Sequence, residues 1–114
     1  MRRAILVAVV LTSIWSEQAT AIDGNKLFEH CEFFSTARLP PHPLDASKGG
    51  YCIGYIQGVH DALQPTRVIC VPDGVTGGQL GDVVKLYIGN HPENRHRSAD
   101  ELVAAALKEK YPCN

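Results

Sequence analysis

The sequence has no excess of charge of either sign. Eleven Lys and Arg face twelve Asp and Glu, for a formal net charge of −1. The basic residues form no stripe, which excludes the usual footprint of a nucleic-acid binder. No segment holds the roughly 18 consecutive apolar residues of a bilayer-spanning helix. The patterns G-x-S-x-G, H-E-x-x-H, the P-loop and C-x-x-C-H are all missing, so no familiar catalytic or phosphate-binding arrangement is present. No stretch alternates with period two over a useful length, apart from Val68–Val71, and the fold class is therefore all-α. What remains is a chain of 114 residues, 45% hydrophobic and 20% charged, which fits one small globular domain.

The N-terminus carries an export signal. Met1-Arg2-Arg3 is a positive start, and Ala4–Trp15 is apolar except for Thr12 and Ser13. That run is long enough for a signal-peptide core and short for a membrane span. Ala19-Thr20-Ala21 supplies the small-x-small cleavage pattern. Residues 1–21 are thus expected to be a signal peptide, and residues 22–114 a single exported helical domain.

Four cysteines, Cys31, Cys52, Cys70 and Cys113, lie in that mature part. An even number in a short exported chain indicates a disulfide framework. A helix map helps to pair them. Asp23 caps a first helix running to about Phe34, with Leu27, Phe28, Cys31 and Phe34 on one face. A second helix is expected from about Tyr51 to Leu63, with Cys52, Ile56, Val59 and Leu63 inward. Thr76 and Gln79 form a capping box for a third helix, and Ser98 and Glu101 for a fourth that ends at Pro112. The expected architecture is a four- to five-helix, disulfide-stapled domain. Cys52 and Cys70 flank the second helix, which separates them by more than about 15 Å, whereas a disulfide needs Cα atoms within about 7 Å. The end of the first helix should lie beside the start of the second. The map therefore favours Cys31–Cys52, leaving Cys70–Cys113.

Gly50, Gly54 and Gly58 recur every four residues on the second helix. Interior glycines cost a helix about 1 kcal/mol each against alanine. The stripe is read as a helix-packing surface, preferably inside the fold, with contact to a second copy as the alternative. The segment Ser35–Lys48 is expected to be irregular and stiffened by Pro40, Pro41 and Pro43 around His42. That stiffness suits recognition, because less entropy is lost on binding. His91, Glu93, Arg95, His96 and Arg97 crowd a second polar loop. A metal reading of His91, Glu93 and His96 is opposed by the two arginines, and no catalytic residue, metal or cofactor is assigned. His30 beside Cys31 is not read as a nucleophile, because an exported cysteine with partners is oxidised. His60 and Asp61 are expected to diverge by about 100° on their helix.

Several segments resemble the Rap/Tai immunity-protein family. Tyr51-Cys52-Ile53-Gly54-Tyr55-Ile56-Gln57-Gly58-Val59-His60-Asp61-Ala62 is similar to its second-helix motif. Ile69-Cys70-Val71-Pro72-Asp73-Gly74-Val75-Thr76-Gly77-Gly78-Gln79-Leu80 is similar to the segment that opens its third helix. His91-Pro92-Glu93 looks like that helix's exit, Tyr111-Pro112-Cys113 like the family's close, and Gly24-Asn25-Lys26-Leu27 with Cys31 like its opening. The resemblance covers nearly all of residues 22–114. It implies a periplasmic, non-enzymatic immunity protein that blocks a type VI secretion peptidoglycan amidase, often as a homodimer. The expected contact residues are Pro40, Pro41, His42, Pro43 and Asp45, together with His91, Glu93, Arg95, His96 and Arg97. The alternative is a periplasmic binding or acid-chaperone-like module without a cognate toxin, driven by its five histidines. N-terminal sequencing of the exported protein is expected to begin at Ile22; a chain that keeps residues 1–21 would end the leader assignment.

Overall fold

The computed structural model describes residues 20–34 and 42–114. Residues 1–19 of the expected leader, Pro40 and Pro41 lie outside the described residues. Four α-helices follow in order: α1 (Gly24–Cys31), α2 (Pro43–Leu63), α3 (Gly77–Asn90) and α4 (Ala99–Lys110). Short 3-10 turns occupy Gln64–Thr66 and Pro92–Asn94. Among the described residues the only β feature is a single bridge between Asp23 and Ser98.

Local chemistry explains most of the boundaries. Asp23 is extended and its carboxylate accepts a hydrogen bond from the Lys26 backbone N–H at 2.9 Å, capping α1. The helix stops at Cys31 rather than continuing to Phe34. Phe33 and Phe34 instead donate backbone hydrogen bonds to the carbonyls of His30 and Cys31, three residues back, which tightens the last turn. The Thr76–Gln79 box that opens α3 is present with both reciprocal hydrogen bonds. The expected Ser98–Glu101 box does not form. The Ser98 hydroxyl pairs with the Asp100 carboxylate, and Glu101 is drawn to Arg97 at 3.1 Å. Within Val68–Val71, Ile69 and Val71 are buried while Val68 is exposed. The Gln64 amide holds both the N–H and the C=O of Val71, as a strand partner would.

The largest departure concerns α2. The segment expected to be irregular up to Lys48 is helical from Pro43 onward. Proline is accommodated at the first helical position, where its missing N–H has no partner to lose. The His42 ring Nδ1 accepts the Leu44 N–H at 3.2 Å and serves as the cap. Cys52 therefore sits near the middle of a helix about 30 Å long, not at its start.

Both disulfides match the favoured pairing. Cys31–Cys52 and Cys70–Cys113 each have a Cα separation of 5.0 Å. The first ties the end of α1 to the middle of α2 inside the core. Leu27, Ile56, Ile69, Val84, Ile88, Val103 and Leu107 are buried around it, all at 0% exposure with the two cysteines. The N-terminus of α1 is fastened to the segment before α4. Gly24 and Asn25 N–H groups donate to the Arg97 and Arg95 carbonyls, and Ala99 N–H donates to Ile22 O, all at 2.9 Å.

The glycine stripe does not pack inside the fold. Gly50, Gly54 and Gly58 are exposed, and a Cβ at any of them meets nothing within 4 Å. The close helix contact falls one residue earlier. A Cβ on buried Gly49 would lie 2.7 Å from the Phe33 carbonyl oxygen, a backbone atom that cannot step aside. The helical phase explains the difference: residue 49 shares the face of Cys52 and Ile56, whereas 50, 54 and 58 share the opposite one. Gly49→Ala is expected to cost about 1–3 kcal/mol through overpacking. Gly54→Ala should stabilise dilute protein by up to about 1 kcal/mol. Urea unfolding of both variants checks this, and a neutral Gly49→Ala would refute the packing assignment.

Candidate functional site

The two loop regions expected to meet a partner are built differently. In the segment 91–97, three residues are committed to the fold. The Arg95 guanidinium donates from Nε to the Ile88 carbonyl and from Nη2 to the Gly89 carbonyl, both at 3.1 Å. It also stacks 4.1 Å over the Phe28 ring. A cation that satisfies the last carbonyls of α3 and lies on an aromatic face is a helix cap. The Arg95 guanidinium is engaged within the fold. His91 stacks on Tyr87 with ring centroids 4.2 Å apart, and its Nδ1 donates to the Tyr87 carbonyl at 2.7 Å. The main chain at Arg95 and Arg97 holds α1. What the segment presents outward is Glu93, His96 and the Arg97 side chain, the last steered by Glu101.

At the other region His42 and Pro43 are exposed, and Asp45 is half-buried in the first turn of α2. A carboxylate there complements the positive end of the helix. Leu44 is 67% exposed. Among the described residues no hydrogen bond or ion pair links this region to 91–97, so the two remain separate patches.

Between Asp45 and Asp61, Lys48 is the only formally charged residue on α2, and it leans over the Phe33 ring at 4.7 Å. The outer face consequently carries the three glycines and Tyr51, 43% exposed and stacked on Tyr55 at 6.2 Å. A third exposed apolar feature was not anticipated. Leu86 stands 66% exposed on α3. It separates a cleft of about 430 Å³ over Val83, Tyr87 and Ala106 from a hollow of about 400 Å³ beside Phe28 and Gly89. Its only sequence signal is an apolar residue out of phase with Val83, Val84, Tyr87 and Ile88.

No reacting centre is assembled among the described residues. All four cysteines are oxidised, so Cys31 offers no thiol. Among the described residues no group of three His, Cys, Asp or Glu is placed to hold a metal ion. His60 and Asp61 do touch, contrary to the expected divergence: Nδ1 and Oδ1 are 2.9 Å apart. Rotation about the two short side chains closes the 100° between their Cβ directions. Asp61 is largely solvated, and the pair lies on the surface of α2.

Among the described residues His30 alone has an enclosed side-chain nitrogen, Nδ1, that lacks a hydrogen-bond partner. The edge of its ring meets the Tyr51 ring at 4.8 Å. Burial depresses its proton affinity below the ordinary histidine value. Lys26 from α1 and Lys48 from α2 push in the same direction, and Glu29 opposes them. Tyr55 is shifted upward, by burial first and then by Asp100 of α4 and by Tyr51.

These features define a class: a small helical module cross-linked by two disulfides. The family model of the Rap1a immunity proteins matches residues 23–113. The chain belongs to that family, and so to proteins that act against a secreted toxin by binding it. No curated protein matches the chain. Among the described residues, no helix is long and apolar enough to cross a membrane.

The His30 geometry has a signed consequence. The unfolded chain takes up a proton near pH 6.5, while the folded chain resists it to lower pH. Stability is therefore full above about pH 6.5 and declines as pH falls through that value. Between pH 7.5 and 5, the melting temperature of the wild type should fall more steeply than that of His30→Gln. The other histidines are common to both proteins, so parallel slopes would sink the assignment.

Proposed function

We propose that this chain is exported, that its leader is removed after Ala21, and that it neutralises a peptidoglycan amidase delivered by type VI secretion. The observation that carries this reading is the extent of the family match. Residues 23–113 include α1 to α4 and both disulfides. A periplasmic address is supported by the two disulfides, which persist in oxidising compartments.

Inhibition by occlusion asks for a rigid surface. A stable complex buries about 1,200–2,000 Å² in total, a large part of so small a body. Glu93, His96 and Arg97 form one proposed contact patch on a segment pinned to α1. His42 and Pro43, with Pro40 and Pro41 preceding them, form the other. The outer face of α2 between Asp45 and Asp61, with Gly50, Gly54, Gly58 and Tyr51, is where a second copy would pack in a homodimer. Its smoothness permits close helix approach, and an isologous contact uses the same patch twice.

A second reading, an acid-responsive periplasmic module, is favoured by one observation: the enclosed, unpartnered His30 between two lysines. Binding of an apolar dye on mild acidification would be its signature.

The deciding experiment pairs this chain with the product of the neighbouring reading frame. That product is sent to the periplasm with and without co-expression of the chain. Rescue from lysis and a stable complex are expected. Glu93→Ala/His96→Ala/Arg97→Ala should weaken the complex by at least about tenfold, or 1.4 kcal/mol, with unchanged unfolding. Arg95→Ala should instead lower stability. Lysis despite good expression of the folded chain would overturn the immunity reading.

A further inference from the structure

We propose that the Cys70–Cys113 disulfide is an exchange site for small anionic thiols, while Cys31–Cys52 is closed to them. The two bridges share one Cα separation and differ in surroundings. Cys31 and Cys52 are fully buried among apolar side chains. Cys70 and Cys113 are only partly covered. Both line an open cleft of about 810 Å³, and Cys70 borders a second of about 400 Å³. A thiolate must reach a sulfur directly to displace its partner, so access decides which bridge reacts.

Charge sets the kind of thiol. Arg67 and Lys110 rim the larger cleft, two cations against the single backbone carboxylate at Asn114, and among the described residues no acidic side chain lines it. Asp73 borders the smaller hollow on the far side of Pro72. Two cations beside the bridge attract an anionic attacker and lower the energy of the departing thiolate. The Cys113 sulfur lies 3.2 Å from the Arg67 carbonyl oxygen, so its reduced thiol has an acceptor ready.

The step balances with two thiols. The first thiolate attacks one sulfur of the bridge, forms a mixed disulfide and expels the other cysteine as thiolate, which takes a proton from water. A second thiolate attacks the external sulfur of that mixed disulfide. It releases the remaining cysteine and leaves as the small-molecule disulfide. Two electrons pass to the protein. The tail is then held by the hydrogen bond from Cys70 N–H to the Tyr111 carbonyl, 2.9 Å, and by Tyr111 packing against the core. The body keeps its buried bridge. The loop released spans 43 residues against 21 for the other, so its loss is the larger one in a chain-entropy account.

The test uses the intact chain and three thiols built on one two-carbon frame: mercaptoethanesulfonate, mercaptoethanol and cysteamine. Free thiols are trapped by alkylation over time and located by peptide mapping. Cys70 and Cys113 should be labelled at least about tenfold faster than Cys31 and Cys52, which wait for local opening. Rates expressed per thiolate should fall from the sulfonate to the neutral to the cationic reagent, and high salt should compress that order. Lys110→Gln with Arg67→Asn should flatten it; asparagine suits the left-handed backbone at residue 67, where φ is 62°. Simultaneous opening of both bridges, earlier opening of Cys31–Cys52, or rates indifferent to reagent charge in the wild type would overturn the proposal.

Discussion

The crossing of α1 over α2 is the constraint on which the rest of the structure depends. The buried Cys31–Cys52 bridge holds the end of one helix against the middle of the other. Gly49 lets the Phe33 carbonyl come within 2.7 Å of where a side chain would begin. No larger residue fits there without moving backbone. Once that crossing is set, Ile56 of α2 is aimed at the core, and α3 and α4 close over it with Val84, Ile88, Val103 and Leu107. The same crossing turns the opposite face of α2, with its glycines and Tyr51, toward solvent.

The second fastening works from the other end. Backbone groups at the start of α1 bond to the segment before α4, and Arg95 caps α3 while lying on Phe28 of α1. This polar loop is therefore rigid although it is rich in charge. A rigid platform loses little entropy on association. That suits Glu93, His96 and Arg97 to recognition more than their number alone would suggest. The two disulfides divide the labour similarly: one is sealed in the core, the other lies open at the periphery beside Arg67 and Lys110.

Much of the fold was legible because short-range chemistry decides it. Asp23 and the Thr76–Gln79 pair mark helix starts by satisfying exposed N–H groups. The cysteine pairing followed from helix length, which keeps Cys52 from Cys70, together with the return of the second helix alongside the first. The start of α2 was misread because three prolines in a row of four resemble an extended connector. Only the position of Pro43 in the first turn, with His42 behind it, makes one of them a helix opener. Arg95 looked like its neighbours Arg97 and His96 in composition. Its partners are the carbonyls of Ile88 and Gly89 and the ring of Phe28, and no local pattern reveals an aromatic ring some 67 positions earlier in the chain.

By itself the sequence determined the helical class, the disulfide framework and the family, because these rest on spacing, capping residues and joined motifs. The tertiary structure decided which groups face outward. It put Gly49 inside and Gly50, Gly54 and Gly58 outside, spent Arg95 within the fold, and left Leu86 and the Cys70–Cys113 bridge accessible. The physical reason is that a side chain's direction depends on which helix covers it. That follows from the α1–α2 crossing between residues distant in the chain, which local periodicity does not encode.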